Sequence, residues 1–290
     1  MSNNVLRNRI DFVALVTAKD CNPNGDPLNG NRPRETYDGH GLMTNVCIKH
    51  KLRRALNHLG QNVLILQEED VEDGFNSIKA RVEACTDLKL LSKGKGSDKK
   101  QFSDLACKTW FDVRAFGQVF AFNGGDEKGA SVGIRGPVSI QQALTVSPID
   151  IVSTQITKCV NGNEKDGKAS DTMGMMHSVP FGLYIVRGTI SCQLAEKTGF
   201  TEEDAELLKQ SILTMFDDDQ SVARPAGSME VRGLYWFKHQ CKTPAVSPAA
   251  VYRSIKIVEK EQGKDPVDFE DYKILLDLAP GVPEPESYNM

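Results

Sequence analysis

RIDFVALVTAKDCNPNGDPLNGNRPR, residues 9–34, places an apolar strand directly before a loop of turn-forming residues. Residues 9–17 are rich in β-branched side chains, which is typical of a buried central strand. Residues 21–34 are dominated by Asn, Gly and Pro. These residues favour turns because Gly and Asn tolerate positive φ and Pro fixes φ. The stretch therefore predicts a strand followed by an irregular loop.

A basic amphipathic helix is predicted after the loop. In TNVCIKHKLRRALNHL, residues 44–59, apolar residues recur at helical spacing, Thr44 is a suitable N-cap, and Gly60 can end the helix. The segment contains four Lys or Arg and no acidic residue, and like charges at this spacing repel one another. A helix that keeps such a face despite this cost in stability indicates a polyanion nearby.

The composition favours a protein of the reducing cytoplasm. The chain has 290 residues and is 40% hydrophobic, enough for one large domain or two small ones. Its seven Cys form no CxxC pair and no Cys/His cluster, which argues against a zinc site and against a disulfide framework. We find no signal peptide and no apolar run of about 18 residues. We therefore expect a soluble cytoplasmic protein without a cofactor and without membrane contact.

The charge is unevenly distributed along the chain. The total is −4, but residues 196–219 hold eight acids and two bases, and residues 259–290 hold nine acids and three bases. Each of these two segments is therefore net −6, which leaves the remainder at net +8. The basic remainder includes the strand, loop and helix described above, and this location favours nucleic-acid binding more than the total charge does.

The predicted elements follow the order βαββαβ, which is the ferredoxin-like order. Strands are predicted at residues 9–17, 134–147, 181–191 and 229–240, and helices at residues 44–59 and 201–216. The sequence thus predicts an α+β fold with an antiparallel sheet and both helices on one face. We expect the other face to be open to a ligand, as in RNA-recognition modules.

Two long insertions interrupt this core. Residues 61–133 follow the first helix and include a predicted helix over residues 105–122. Residues 148–180 lie in the middle hairpin, and Asn161–Gly162–Asn163 is a strong signal for a hairpin tip. A long irregular insertion inside a compact domain is usually functional or disordered. After residue 247, a strand is predicted over residues 251–258.

Several spaced motifs resemble one protein family over roughly residues 9–240. They are NPNGDP (22–27), GNRPR (30–34), GHGLMTNVCIK (39–49), WFDVRAFG (110–117), IRGPV (134–138), TQIT (154–157) and VPFGLY (179–184). With these motifs the chain resembles the repeated backbone subunit of CRISPR surveillance complexes, and it is most similar to the subtype I-C version.

The resemblance implies a single right-hand-like domain, residues 1–290, built on a modified RNA-recognition core. The parts it implies are a palm core (1–60, 134–147 and 181–246), a fingers insertion (61–133), a thumb insertion (148–180) and a C-terminal extension (247–290). It also implies a non-catalytic subunit whose copies polymerise helically along CRISPR RNA. The thumb of one copy would fold over the RNA held in the palm of its neighbour.

The implied partners all belong to antiviral defence. They are CRISPR RNA, target DNA that pairs with this RNA, further copies of the chain in a helical filament, other subunits of the type I surveillance complex, and a recruited helicase-nuclease. Only one aromatic residue, Phe12, lies on the first strand, whereas RNA-recognition motifs display several aromatics for base stacking. We therefore expect the subunit to read phosphate and shape, independently of the RNA sequence.

The resemblance assigns RNA-binding roles to polar and basic residues of the palm. Asn22, Asn24 and Gly25 offer amides and backbone N–H groups to phosphates, while Thr44 and Asn45 lie where a helix N-terminus attracts anions. The cations assigned to phosphate neutralisation are Lys49, Arg53, Arg135 and either or both of Arg32 and Arg34. Lys51 and Arg54, on the same helix, are left open as ordinary solvated charges.

Further candidates lie outside the first loop and helix. On the thumb insertion, Lys158 is a candidate cation, and Met173 or Met175 could wedge between bases as apolar side chains do elsewhere. The alternative for the two Met residues is gap-filling in a core. Met229 and Arg232, near the last strand, complete the predicted RNA-binding set.

Two other functions remain open from the sequence. Asp20 and Asp26 lie in the loop where related subunits of type III complexes carry an acidic residue that cuts RNA, and paired carboxylates can bind Mg²⁺. The first alternative is therefore a metal-dependent ribonuclease. The second is a single-stranded RNA-binding module that works without assembly.

Overall fold

The structure, a computed structural model, describes residues 4–75, 77–92, 97–121, 131–157 and 173–289. The strands are β1 Ile10–Cys21, β2 Gly25–Asp26, β3 Arg32–Pro33, β4 His40–Met43, β5 Gly117–Ala121, β6 Ser131–Arg135, β7 Val138–Ile140, β8 Ala143–Pro148, β9 Val152–Thr157, β10 Met173–Ile190, β11 Met229–Lys238, β12 Ile255–Glu259, β13 Tyr272–Leu276 and β14 Glu286–Asn289. The helices are α1 Asn45–His58, α2 Ile78–Ala84, α3 Thr86–Ser92, α4 Ser97–Thr109, α5 Phe111–Phe116, α6 Cys192–Thr198, α7 Glu202–Leu213 and α8 Pro248–Arg253. None of the described helices is long and apolar enough to cross a membrane.

One antiparallel sheet organises the protein around β1. Across this sheet the order is β14, β11, β1, β10, β8, β4, and β7 and β9 also pair with β10. Val13 is opposite Arg187 of β10 on one side and Tyr235 of β11 on the other. The mixed α/β class and the large antiparallel sheet predicted from the sequence are confirmed.

The main hydrophobic core lies between this sheet and helices α1 and α7. Phe12 of β1 stacks on Trp236 of β11 with ring centroids 5.5 Å apart. A Cβ on Gly188 would lie 2.1 Å from the Phe12 ring, so only glycine leaves room for the ring. Thr44 caps α1, and Thr201 forms a capping box with Asp204 at the start of α7. The predicted positions of both helices are therefore confirmed.

The opposite face of the sheet is covered, so the open face expected from the sequence is wrong. Val13 and Leu15 of β1 pack in a second core with Val251, Ile255 and Tyr272, which belong to the segment after residue 247. The physical reason is that β1 is apolar on both faces, and such a strand must be covered on both sides. The C-terminal segment supplies this second layer.

Within the insertion at residues 61–133, part of the described residues forms a separate small core, and the helix predicted over residues 105–122 is not continuous. Phe102, Trp110 and Phe120 pack together in this core. The chain leaves the helical conformation at Trp110 and again at Gly117, where φ is +78° and β5 begins. A Cβ on Gly117 would lie 2.3 Å from the Ile134 carbonyl oxygen, so this close backbone contact requires glycine.

Two other strand predictions are corrected by the structure. The strand predicted over residues 134–147 is divided among β6, β7 and β8. The strand predicted over residues 251–258 begins instead with α8, because Ser247 caps a helix whose first residue is Pro248. Ile255 then starts β12, which pairs with β13.

In the insertion at residues 148–180, the described residues include an antiparallel pair of strands, β9 and the first part of β10. Strand β10 runs without interruption from Met173 into the centre of the sheet, and its first residues pair with β9, beginning with Met173 opposite Thr157. Every residue of β9 is exposed. Lys158 and the predicted hairpin tip at Asn161–Asn163 lie outside the described residues.

A buried carboxylate joins the 61–133 insertion to α1. Asp112 is 1% exposed. Its two oxygens accept hydrogen bonds from the backbone N–H groups of Leu64 (2.8 Å) and Ile65 (3.3 Å) and from Arg53 Nε (2.9 Å). Removing one partner of a buried ion pair leaves the other charge uncompensated, so this contact is costly to break.

Asp112→Ala is expected to lower the free energy of unfolding by about 3–5 kcal/mol, because it leaves the Arg53 guanidinium and two backbone N–H groups without their acceptor. Urea denaturation measures the change. Asp104→Ala, an exposed position on α4, is the matched control and should stay within about 0.5 kcal/mol of the unchanged protein. Equal stability of the two variants would show that Asp112 does not join the insertion to α1.

Candidate nucleic-acid interface

The loop after β1 is held by its own side chains. Asn22 is 3% exposed, and its Nδ2 donates to the Asn31 carbonyl at 2.6 Å. Asp26 Oδ1 accepts from the Leu28 N–H at 3.2 Å and forms an ion pair with Arg34 at 3.1 Å. The loop is therefore a defined structure, and Asn22 is buried within it.

Asn24 links the loop to the N-terminus of α1. Its Oδ1 accepts hydrogen bonds from the Thr44 N–H (2.9 Å) and the Thr44 Oγ1 (3.1 Å), while Thr44 Oγ1 accepts from the Cys47 N–H (3.2 Å). Asn45, the first helical residue, is exposed. The structure thus brings the predicted residues Asn24, Thr44 and Asn45 together at the positive end of a helix dipole.

The two arginines of the loop differ in their partners. Arg34 is paired with Asp26, whereas Arg32 Nη1 donates to Ser153 Oγ of β9 at 3.3 Å. Arg32 therefore connects the loop to β9, and within the described residues it forms no ion pair with an acidic side chain.

Lys49 and Arg53 lie over the same aromatic ring. The Lys49 Nζ is 5.4 Å and the Arg53 Cζ is 5.3 Å from the centroid of Phe116. Burial, and then the neighbouring charge of Arg53, lower the pKa of Lys49 below its ordinary value. Arg53 is neutralised by Asp112, so Lys49 is the member of the pair whose charge would gain most from an added anion.

Lys51 and Arg54, left open as solvated charges, are instead engaged in ion pairs. Lys51 is 2% exposed and pairs with Asp219. Arg54 pairs with Glu69 and Asp70 at 3.4 Å each. Lys51 lies three residues after Ile48 on the buried face of α1, which is why the solvated alternative does not apply to it.

Some of the remaining predicted residues are exposed, and the others are buried in the core or held in an ion pair. Arg135 is exposed at the end of β6, and Met173 and Met175 are 65% and 53% exposed on β10. Met229 is 7% exposed and belongs to the main core. Arg232 pairs with Glu270 at 3.2 Å. The exposure of the two Met residues excludes the gap-filling alternative, and the burial of Met229 gives it a packing role.

Sequence reasoning missed the segment at residues 219–228, which lies against the loop after β1. The Asn22 N–H donates to the Ala223 carbonyl and the Lys19 N–H to the Ser228 carbonyl, both at 2.8 Å. Val222, at the turn, is 89% exposed. The Pro225–Ala226–Gly227 sequence was a turn signal that could have identified this segment.

The two carboxylates considered for catalysis have different surroundings in the structure. Asp26 accepts a hydrogen bond from the Leu28 N–H and forms an ion pair with Arg34. Asp20 is exposed, and its backbone lies in the left-handed region with φ +52°. In that part of the chain, no group of three or more His, Cys, Asp or Glu residues could hold a metal ion.

Comparisons with known proteins agree on one family. A family model described as CRISPR-associated protein Cas7 matches residues 8–277. A CRISPR-associated protein Cas7 of Haloferax volcanii is 25% identical over 222 residues, which cover 69% of this chain and 62% of that protein. The chain thus spans less than two thirds of the length of this relative.

Solved structures were compared as well. A chain of a CRISPR RNA-guided surveillance complex, pre-nicking, has a TM-score of 0.50 at 15% identity and covers 90% of this chain and 83% of that one. Another CRISPR RNA-guided surveillance complex chain has a TM-score of 0.45 at 16% identity, with 89% and 77% covered. The first likeness concerns the fold alone.

Asn24→Ala should destabilise the protein by about 1–3 kcal/mol, because the Thr44 N–H and hydroxyl lose their shared acceptor. Thermal and urea unfolding measure this change. Asn29→Ala, an exposed position in the same loop, should have an effect within about 0.5 kcal/mol. If Asn24→Ala is as harmless as Asn29→Ala, the link between loop and helix is not a stabilising one.

Proposed function

Because the chain belongs to the Cas7 family of CRISPR-associated proteins, we propose that it is a non-catalytic backbone subunit of a type I, subtype I-C-like, surveillance complex. It binds the phosphates of CRISPR RNA independently of sequence and assembles with copies of itself along this RNA. The observation that carries the proposal is the placement of Asn24, Thr44 and Asn45 at the N-terminus of α1, with Lys49 four residues after Asn45 on the same helix.

The core is proposed to be a modified ferredoxin-like, RNA-recognition fold. In support, α1 follows β1, α7 follows β10, and β1 lies between β10 and β11 in the sheet. All these strand neighbours are antiparallel. Because the C-terminal segment covers one face of the sheet, RNA is proposed to bind at the loop end of β1 and not on the flat of the sheet.

The right-hand description is part of the proposal. The palm is the sheet with α1 and α7, the fingers are the insertion at residues 61–133, whose described residues have their own small core, and the thumb is the insertion at residues 148–180, which contains the β9–β10 pair. Met173 and Met175 on the thumb are exposed apolar side chains, which suits insertion between bases of RNA held by a neighbouring copy. Arg32 and Arg135 supply further cations for phosphates.

The partners proposed from this function are those of a surveillance complex. CRISPR RNA is bound directly, target DNA pairs with this RNA, and other type I subunits and a recruited helicase-nuclease complete the assembly. A subunit that contacts phosphates and leaves base edges free can accept any guide sequence, since phosphate contacts carry no sequence information.

Electron microscopy of the purified protein with CRISPR RNA of defined length tests the proposal. Curved filaments whose length follows the RNA length are expected, and the protein alone should not form them. A variant without residues 155–178 should remain folded but fail to assemble. Monomeric particles with Mg²⁺-dependent RNA cutting would establish the ribonuclease alternative, and monomeric particles with intact bound RNA would establish the stand-alone module.

Lys49→Ala should weaken binding to two unrelated RNA sequences by the same factor. Loss of one phosphate contact on a single strand should reduce the slope of log K against log salt by about 0.7. Fluorescence anisotropy titrations at several salt concentrations measure both quantities. Lys108→Ala, an exposed lysine on α4, is the charge-matched control. A loss that depends on the RNA sequence, or an equal loss in the control, would contradict the role of Lys49.

A further inference from the structure

A buried carboxylate stands at the start of the segment that lies against the RNA-binding loop. Asp219 is 6% exposed, although it follows two exposed aspartates, Asp217 and Asp218. Its Oδ1 accepts from Lys51 Nζ of α1, and its Oδ2 accepts from Arg224 Nε at 2.9 Å. One buried acid thus holds a helix and a loop together through two cations.

Arg224 also contacts the loop after β1. While its Nε binds Asp219, its Nη1 donates to the Asn22 carbonyl at 3.4 Å. The Asn22 N–H donates in the opposite direction, to the Ala223 carbonyl at 2.8 Å. Both backbone groups of Asn22 are therefore bound by residues 223 and 224, and Asn22 is the residue at which the loop leaves β1.

The segment itself is a tight turn. The Ser221 N–H donates to the Arg224 carbonyl at 2.8 Å, the Arg224 N–H donates back to Ser221 at 3.0 Å, and the Ser228 N–H donates to Pro225 at 3.0 Å. The Arg224–Asp219 contact joins this turn to the acid that also binds Lys51 of α1. Because the same arginine reaches the Asn22 carbonyl, the turn adds a support to the loop after β1 beyond the loop's own side-chain contacts.

We infer that Asp219 and Arg224 are positioning residues for RNA binding: they hold the 219–228 segment and the loop after β1 in one arrangement. The inference rests on the proposed function. It deepens that function by naming two residues that act through Asn22 and are not themselves proposed to contact a phosphate of the RNA. Groups that must meet successive phosphates need a fixed spacing, and this requires support from buried contacts behind the loop.

Whether Asp219→Asn weakens or tightens RNA binding distinguishes a positioning role of Asp219 from a purely electrostatic one. Removing an acid adds net positive charge, so electrostatics alone would tighten RNA binding and steepen its salt dependence. Loss of positioning predicts the opposite, with binding weakened by about 2- to 30-fold, the range for residues that act through a neighbour. Asp217→Asn makes the same charge change at an exposed position and should bind RNA as tightly as the unchanged protein or more tightly.

A second variant keeps the inference testable if Asp219→Asn folds poorly. Arg224→Lys retains the positive charge and leaves the Lys51–Asp219 pair intact, but one ammonium group cannot replace the planar guanidinium that bridges Asp219 and Asn22. Weaker RNA binding by Arg224→Lys supports positioning. Binding equal to that of the unchanged protein overturns it.

Alkylation of Cys21 reports on the same contact without RNA. Cys21 is 1% exposed, and its Sγ donates to the Ser228 carbonyl at 3.5 Å. In both variants Cys21 should be alkylated faster, while Cys107, buried in the 61–133 core, should not. Peptide mass spectrometry measures both rates. Faster alkylation at both cysteines, or at neither, would overturn the inference.

The complete experiment measures binding of a single-stranded RNA of fixed length to the unchanged protein, Asp219→Asn, Arg224→Lys and Asp217→Asn. If the unchanged protein does not bind RNA, the proposed function fails. If it binds and Asp219→Asn binds as tightly or more tightly, only the positioning inference fails. Weaker binding by Asp219→Asn and Arg224→Lys, with Asp217→Asn unaffected, supports it.

Discussion

Burial of strand β1 on both faces is the constraint on which the structure depends. Phe12 faces the core beneath α1 and α7, and Val13 faces the core beneath the C-terminal segment. A sheet whose central strand is apolar on both sides must acquire two covering layers. The helices and the C-terminal segment thereby cover both faces of the strand, whereas Lys19 and Asp20 near its end and residues 27–31 of the loop remain exposed.

The basic helix α1 divides its charges between structure and binding. Lys51 and Arg53 are neutralised by the buried acids Asp219 and Asp112, and these pairs fasten α1 to two distant parts of the chain. Lys49 rests on the Phe116 ring, and in the described part of the chain it forms no ion pair with an acid. A row of like charges therefore does not by itself identify the binding residues, because buried acids compensate some of them.

Local signals predicted the local structure well. Thr44 precedes the first residue of α1 and Gly60 follows its C-terminal end, as expected from their capping preferences, and φ of Gly60 is +75°. The misses were of two kinds. The helix start at Ser247–Pro248 was a readable signal that a run of β-branched residues obscured. The spacing from Ile48 places Lys51 on the buried face of α1, but its partner Asp219 lies 168 residues away, and no local pattern contains that partner.

The late position of the covering segment has a consequence for synthesis. Val13 and Leu15 leave the ribosome before their partners Val251, Ile255 and Tyr272 are made. During elongation the sheet therefore exposes an apolar face, and exposed faces of this kind make partly folded chains prone to aggregation.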